Sequence, residues 1–382
     1  VKLLYFVHDL NDPTVARRIR FLHAGNIAVT VMGFSRGPRR ADALEGVTAI
    51  ELGRTHDSRL IARIGSVFLA CFRLWRFRDP ISQADVLMAR QLEMLMIACV
   101  VRMFSRGTKP VVFECLDIHR LMIRSDLIGK FLRMVEGGLL GMTGLLVVSS
   151  LGFIDSYFQI FHGKLPPTYL LENKLLASEV ALLDAGDHEP IDTPAAAPPW
   201  KIGWYGVIRC PTSLDALAAL VRDHPGLVEV TIAGKISQNL IDIFDTIVSA
   251  APGISYVGPY DRAHDLKRLY EGVHFAWAVD YYEAGGNSEW LLPNRLYEGG
   301  YFRTPMIASA HSQTGKWLAG HDAGVLLGEP LSSALPEFFR KLDVARFGMV
   351  RRHMAALPDA LFVYGQEECR AFADRLETLR MM

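Results

Sequence analysis

Apolar and polar positions along this chain fall into short β-rich runs separated by stretches of helical period. Lys2–Val7 is the first run, and residues 8–13 follow as a loop. Asp12 is expected to cap a helix with Pro13 at its first position and Ile19, Phe21 and Leu22 among its apolar residues. Residues 28–34, 111–114 and 145–148 read as further buried strands. A helix is expected around 153–158 and a short last strand over 169–173. A second series opens at 201–209, read as a strand, a glycine turn at Gly206 and a helix from about Ser213. Residues 228–233, 254–257 and 274–279 continue it. Over 292–309 the pattern is loop, short helix, a turn at Thr304-Pro305 and a buried strand end. The tail over 366–379 is an amphipathic helix. Strands alternating with helical gaps of this length predict doubly wound parallel sheets, an α/β fold.

Composition turns one fold into two. With 382 residues and 50% hydrophobic content, the chain can bury two cores of ordinary domain size. Formal net charge is zero, so nothing in the balance points to nucleic acid. Lys and Arg nevertheless outnumber Asp and Glu by 23 to 16 over residues 1–183 and fall behind by 18 to 25 over 184–382. Residues 184–199, with four prolines, acids and an alanine run, have linker composition and coincide with the switch. The expected organisation is a first domain at 1–183, a linker at 184–199, a second domain at 200–365 and a helix at 366–382 packing back toward the first domain. A basic first domain suits an anionic ligand or membrane surface. The five cysteines are odd in number and lack C-x-x-C spacing, so they read as reduced thiols of a cytosolic protein. Residues 1–7 read as a strand rather than a secretory signal, and no uninterrupted apolar run is long enough to span a bilayer.

Candidate chemistry gathers in three places. Arg295 and Glu298 stand three apart near the start of the short helix, so they share a face. A cation and free N–H groups there favour a phosphate, and a carboxylate one turn on can accept from two ribose hydroxyls. The competing reading is an ordinary surface ion pair. Asp117, His119 and Arg120 follow the strand at 111–114, where ligands of parallel sheets gather. Asp117 is a proton acceptor or a helix cap; both readings stand. The third place is 59–78, where five arginines, including Arg63, Arg73 and Arg76, alternate with Phe and with Trp75. That is either a membrane-interface helix or a core-facing helix with a basic outer side. Lys130-Phe131-Leu132-Arg133-Met134 is a second apolar, basic segment. No G-x-G-x-x-G fingerprint is present, against a dinucleotide oxidoreductase, and no D-x-D pair suggests a metal.

The segment Asn294-Arg295-Leu296-Tyr297-Glu298, with Pro305-Met306-Ile307-Ala308-Ser309 after it, resembles the donor site of GT-B glycosyltransferases. The Leu4-Tyr5-Phe6-Val7-His8-Asp9-Leu10 opening and Asp117-Ile118-His119-Arg120 look like bacterial exopolysaccharide glycosyltransferases of the succinoglycan-assembly type. The resemblance implies two Rossmann-like domains facing a cleft. It implies transfer of a sugar from a nucleotide diphosphate, a UDP-sugar such as UDP-glucose or UDP-glucuronate, to a polyprenyl-diphosphate-linked oligosaccharide. That reaction belongs at the cytoplasmic face of the membrane, with the enzyme peripheral and no cofactor. The resemblance puts Gly206, Arg209, Gly258, Tyr260, Asn294, Arg295 and Glu298 on the donor. Trp290 stands where retaining members carry the first acid of Glu-x7-Glu, with Glu289 beside it, so the expectation is an inverting, metal-independent transfer. Its base comes from the first domain: Asp117 first, then Asp9 and His119. A nucleotide-sugar epimerase and a non-catalytic nucleotide-sugar-binding scaffold are the alternatives.

Overall fold

A computed structural model describes residues 1–36, 44–54, 65, 69–185 and 194–381. The chain divides into two compact units, Val1–Glu172 with Gly365–Met382, and Asn173–Tyr364.

The first unit is built on seven parallel strands: β1 (Lys2–Val7), β2 (Ala28–Ser35), β3 (Thr48–Arg54), β4 (Val86–Arg90), β5 (Val111–Cys115), β6 (Leu145–Val148) and β7 (Thr168–Leu170). They run in the order β3-β2-β1-β4-β5-β6-β7. Helix α1 (Pro13–Ala24) starts where its sequence says it should. Asp12 accepts from the Thr14 N–H, Pro13 opens the first turn, and Ile19, Phe21 and Leu22 are buried. Helix α2 (Leu92–Phe104) follows β4, and α3 (Leu127–Leu140) follows β5. The helix expected around 153–158 is present, with a π-helical turn at Ile154–Phe158. The C-terminal helix Gln366–Met381 packs on α1: Phe21 and Phe372 rings lie 5.8 Å apart, and a Cβ on Gly25 would stand 2.5 Å from the Cys369 carbonyl oxygen.

The second unit begins with β8 (Leu175–Leu176) and α4 (Ala177–Ala185), then a six-stranded parallel sheet. Its strands are β9 (Trp200–Ile208), β10 (Val228–Ile236), β11 (Ile254–Tyr256), β12 (Phe275–Trp277), β13 (Met306–Ser309) and β14 (Val325–Leu327), in the order β11-β10-β9-β12-β13-β14. Helices α5 (Pro211–Asp223), α6 (Arg262–Glu271) and α7 (Asn294–Tyr301) connect them. A short β15 (Val363–Tyr364) pairs with β8 at the unit's end. Of the expected linker, residues 186–193 lie outside the described residues.

Each sheet reverses its winding once, between β1 and β4 in the first unit and between β9 and β12 in the second. Chain leaving the carboxyl ends of two such strands diverges to opposite faces and leaves a crevice there, the usual ligand position in open α/β sheets. The residues immediately after these four strands are therefore the ones to inspect. No described helix is long and apolar enough to cross a membrane.

Candidate functional site

In the second unit the crevice is lined by Arg209 after β9 and Asp280 after β12. Arg209 donates through Nη2 to Asp280 Oδ2 at 2.8 Å, and its guanidinium lies 5.2 Å from the centre of the Tyr282 ring. Burial works to raise the Asp280 pKa, but the Arg209 charge and hydrogen bonds outweigh it and hold the carboxyl below its ordinary value. Arg209 keeps 31% of its side chain exposed, so the pair presents a fixed cation at the carboxyl edge of the sheet.

Gly206 is not the turn that its sequence suggested. Strand β9 continues through it to Ile208, and Cys210 caps α5. The continuation depends on Gly234 opposite it in β10, where φ is +135° and a Cβ would lie 1.8 Å from the Gly206 carbonyl oxygen. Gly206 itself has φ +111° but open space around its Cβ position. Gly234→Ala is expected to destabilise the second unit by about 2–4 kcal/mol, from clash and backbone strain together. Gly206→Ala carries the strain alone and should cost less. Urea unfolding of the two variants checks the ordering.

Helix α7 forms where expected, with Pro293 as its cap and Asn294 at its first position. Arg295 donates to the Trp277 carbonyl oxygen at 3.0 Å, which ties α7 to the end of β12, and its charge reaches Asp280. Glu298 is only 2% exposed, which disposes of the surface-pair reading. Its Oε1 accepts from Arg262, at the start of α6, and its Oε2 from the Tyr270 hydroxyl at 3.0 Å. Arg262 was missed in the sequence, and its pKa is raised chiefly by the Glu298 charge. Tyr260 is half-buried against the same core; burial first and Glu298 second push its hydroxyl pKa up. Gly258, at φ +86°, accepts from the Gly234 N–H at 2.8 Å, so the β11 loop is fastened to β10. Arg209, Asp280, Arg295, Glu298, Arg262 and Tyr260 thus lie along one edge of the second unit.

The loop after β12 is held by bonds within itself and by one to the residues after β14. Asn287 donates to Glu283 at 2.7 Å, the Gly285 N–H donates to Glu289 at 2.6 Å, and Tyr281 donates to Glu329 at 2.6 Å.

In the first unit the corresponding crevice has His8 after β1 and Gln91 after β4. Gln91 holds φ +74°, a conformation rare for a residue with a Cβ. His8 was read as loop, yet its Nδ1 is buried with no hydrogen-bond partner among the described residues, and Nε2 lies 3.7 Å from Asp12. Burial holds its pKa below the ordinary value; Arg90 and Arg36 act in the same direction, and Asp12 and Glu93 oppose them. The position at the end of the first strand was the signal available in the sequence. Asp9 accepts from the Asn11 and Arg36 N–H groups at 3.0 and 3.2 Å, an Asx-type turn that shapes the loop. Asp117 and His119 are both exposed after β5, and His119 Nδ1 accepts from the Leu121 N–H at 3.3 Å. The cap of α3 is Asp126, so Asp117 is not the helix cap that one reading made it.

Beneath this crevice lies a buried ionic cluster. Glu114 accepts from Tyr5, from Arg18 Nε at 2.6 Å and from Arg90 Nε at 2.8 Å, while Arg90 Nη1 donates to Thr14 at 2.7 Å. Of the basic aromatic stretch, Arg63 lies outside the described residues. Arg73, Trp75 and Arg76 are exposed, and from Leu74 the chain forms a 3-10 turn, so the stretch does not run on as one α-helix.

Two Rossmann-like units, each with its crevice at a winding reversal, make this a GT-B fold, the architecture of the GT-B glycosyltransferases. The chain belongs to the family of succinoglycan biosynthesis protein ExoL of Rhizobium meliloti (strain 1021), with which it shares 38% identity over 381 residues, 100% of this chain and 94% of the relative. No protein-family model matches the chain. Among solved structures, Anabaena HepE in complex with UDP superposes with a TM-score of 0.69 at 12% identity, covering 99% of this chain and 100% of that one. Sucrose-phosphate synthase from Thermosynechococcus elongatus gives 0.67 at 14% identity, covering 99% and 98%. The lipopolysaccharide-biosynthesis glycosyltransferase WaaG gives 0.61 at 11%, covering 97% and 99%. At these identities the likeness establishes the fold.

Proposed function

We propose that the chain transfers a sugar from a nucleotide diphosphate donor, a UDP-sugar, to a lipid-diphosphate-linked oligosaccharide in exopolysaccharide assembly at the inner membrane face. The observation that carries this is the alignment of Arg209, Arg295 and Glu298 along the carboxyl edge of the second unit. Two fixed cations there suit a diphosphate, and a carboxylate suits the ribose diol. The relative's name supports succinoglycan-type assembly, and HepE, solved with UDP and with UDP-glucose, supports the uridine choice. Gly258 and Tyr260 are assigned to the nucleobase, and Gly206, near the end of β9, and Asn294, at the start of α7, to the donor as well.

In this reading the acceptor hydroxyl oxygen attacks the anomeric carbon, its proton passes to Asp117, and the bond to the diphosphate breaks. Arg209 and Arg295 take up the charge that develops on the leaving oxygen. The transfer inverts the anomeric centre and draws on these side chains rather than a bound cation. His8 is a second proton acceptor, favoured by its unbonded Nδ1 and by the burial that disfavours its protonated form.

The test pairs UDP-glucose or UDP-glucuronate with a lipid-diphosphate oligosaccharide, and follows the new anomeric proton by NMR. Asp117→Asn is expected to lower turnover by about 10²–10⁴-fold while the melting-temperature rise with UDP persists. Retained configuration overturns the inverting course. Free epimerised sugar made without acceptor would favour the epimerase, and a thermal shift with UDP or GDP accompanied by neither transfer nor epimerisation the nucleotide-sugar-binding scaffold.

A further inference from the structure

Helix α3 carries its large apolar side chains on the wrong side for a core helix. Leu127 is 82% exposed, Ile128 53%, Phe131 58% and Met134 66%, whereas its buried positions are Gly129, Glu136 and Leu140. The arrangement is enforced at the inner face: a Cβ on Gly129 would lie 2.2 Å from the Arg124 carbonyl oxygen, and Glu136 accepts from Tyr157 and pairs with His162 at 2.6 and 2.7 Å. Rotating the stripe inward would break both contacts. The neighbouring turn Gln159–His162 extends the stripe with Ile160, 65% exposed, and Phe161, whose ring lies 4.4 Å from the Arg133 guanidinium.

Contiguous exposed apolar surface of this kind marks an interaction site, and its charge identifies the occupant. Arg120, Arg124, Lys130 and Arg133 lie in the segment that carries the stripe, against Asp126 alone among residues 118–135. Asp126 is already engaged, capping α3 and accepting from Arg124 Nε at 2.9 Å. Apolar side chains in a basic segment match the boundary between acyl chains and anionic headgroups. We propose that the outer face of α3 docks the chain on an anionic lipid bilayer, with Leu127 and Phe131 inserted and Lys130 at headgroup level. This rests on the lipid-linked acceptor reading and moves the membrane contact from the stretch at 59–78 to α3. The N-terminal end of α3 follows the Asp117–His119 loop, so docking brings a bilayer next to the loop assigned to the acceptor.

Sedimentation of the full chain with phosphatidylcholine vesicles, with and without about one-third phosphatidylglycerol, tests the assignment. Binding is expected to the anionic vesicles only, weakened at least tenfold in Leu127→Ser/Phe131→Ser and severalfold in Lys130→Glu. Phe72→Ser/Trp75→Ser is expected to bind as the parent does. Loss in that double variant with retention in the α3 variant overturns the proposal, as does absence of vesicle binding. A concentration-dependent dimer that the α3 substitutions dissociate, without vesicle binding, assigns the face to a second copy and also overturns it. UDP thermal shifts on the same samples separate the two readings. A chain that binds UDP but no vesicle loses only the docking surface; one that docks through α3 but transfers no sugar keeps the surface and loses the transferase.

Discussion

Glu298→Ala is expected to abolish the UDP-dependent rise in melting temperature and to lower UDP affinity by about 10–100-fold, because hydrogen bonds to a charged group are worth about 1.5–3 kcal/mol. The same substitution should destabilise the second unit without ligand. The Tyr270 hydroxyl is fully buried, and losing its acceptor leaves an unsatisfied donor at a cost of about 1–3 kcal/mol. Two controls separate these effects. Glu298→Gln keeps an oxygen for Tyr270 and should recover most of the stability while binding UDP weakly. Arg262→Ala leaves the carboxylate and its Tyr270 bond in place and should cost less than tenfold in affinity. Isothermal calorimetry with UDP decides. If Glu298→Ala binds UDP normally while melting early, Glu298 is a structural pin between α6 and α7, and the donor site lies elsewhere.

That experiment bears on a residue whose chemistry was half legible in the sequence. The spacing of Arg295 and Glu298 on one helical turn is local information, and the helix formed as read. The Arg262 partner is 36 residues away on α6, and only the sheet order brings it over. Asp12 and Pro13 announced α1 because capping acts within one turn. Gly206, by contrast, looked like a turn because its neighbour Gly234 on β10, which lets the strand continue, is invisible along the chain. Helix α3 shows the same limit: the sequence marks an apolar, basic segment at 130–134, but not which of its side chains the surroundings cover. The buried cluster at Glu114 is the extreme case, since Tyr5, Arg18 and Arg90 stand 109, 96 and 24 residues away.

Removing Glu114 should have the largest effect on stability. Glu114→Ala strips the bonded carboxylate from two guanidiniums that are 7% and 1% exposed, and breaking a buried pair from one side costs about 3–5 kcal/mol. Against a typical domain stability of about 5–15 kcal/mol, that brings the first unit close to its unfolding threshold. The acid response follows from the same geometry. Burial tends to raise the Glu114 pKa, but Arg90 and Arg18 together with the hydrogen bonds bring it down to about 2. A depressed folded-state pKa means that the stabilisation is complete above the unfolded value of about 4.3 and drains away as pH falls toward 2. Urea midpoints of the first unit should therefore drop between about pH 5 and pH 2, and Glu114→Gln, which cannot ionise, should show a shallower drop from a lower start. Equal slopes in parent and Glu114→Gln would assign the acid sensitivity to other carboxylates. The cluster joins β1, α1, β4 and β5 directly under His8, Gln91 and Asp117, and Arg90 immediately precedes the strained Gln91. A Glu114→Gln chain that remains folded at neutral pH should accordingly bind UDP as the parent does and lose turnover, because the disturbance is confined to the unit proposed to receive the acceptor.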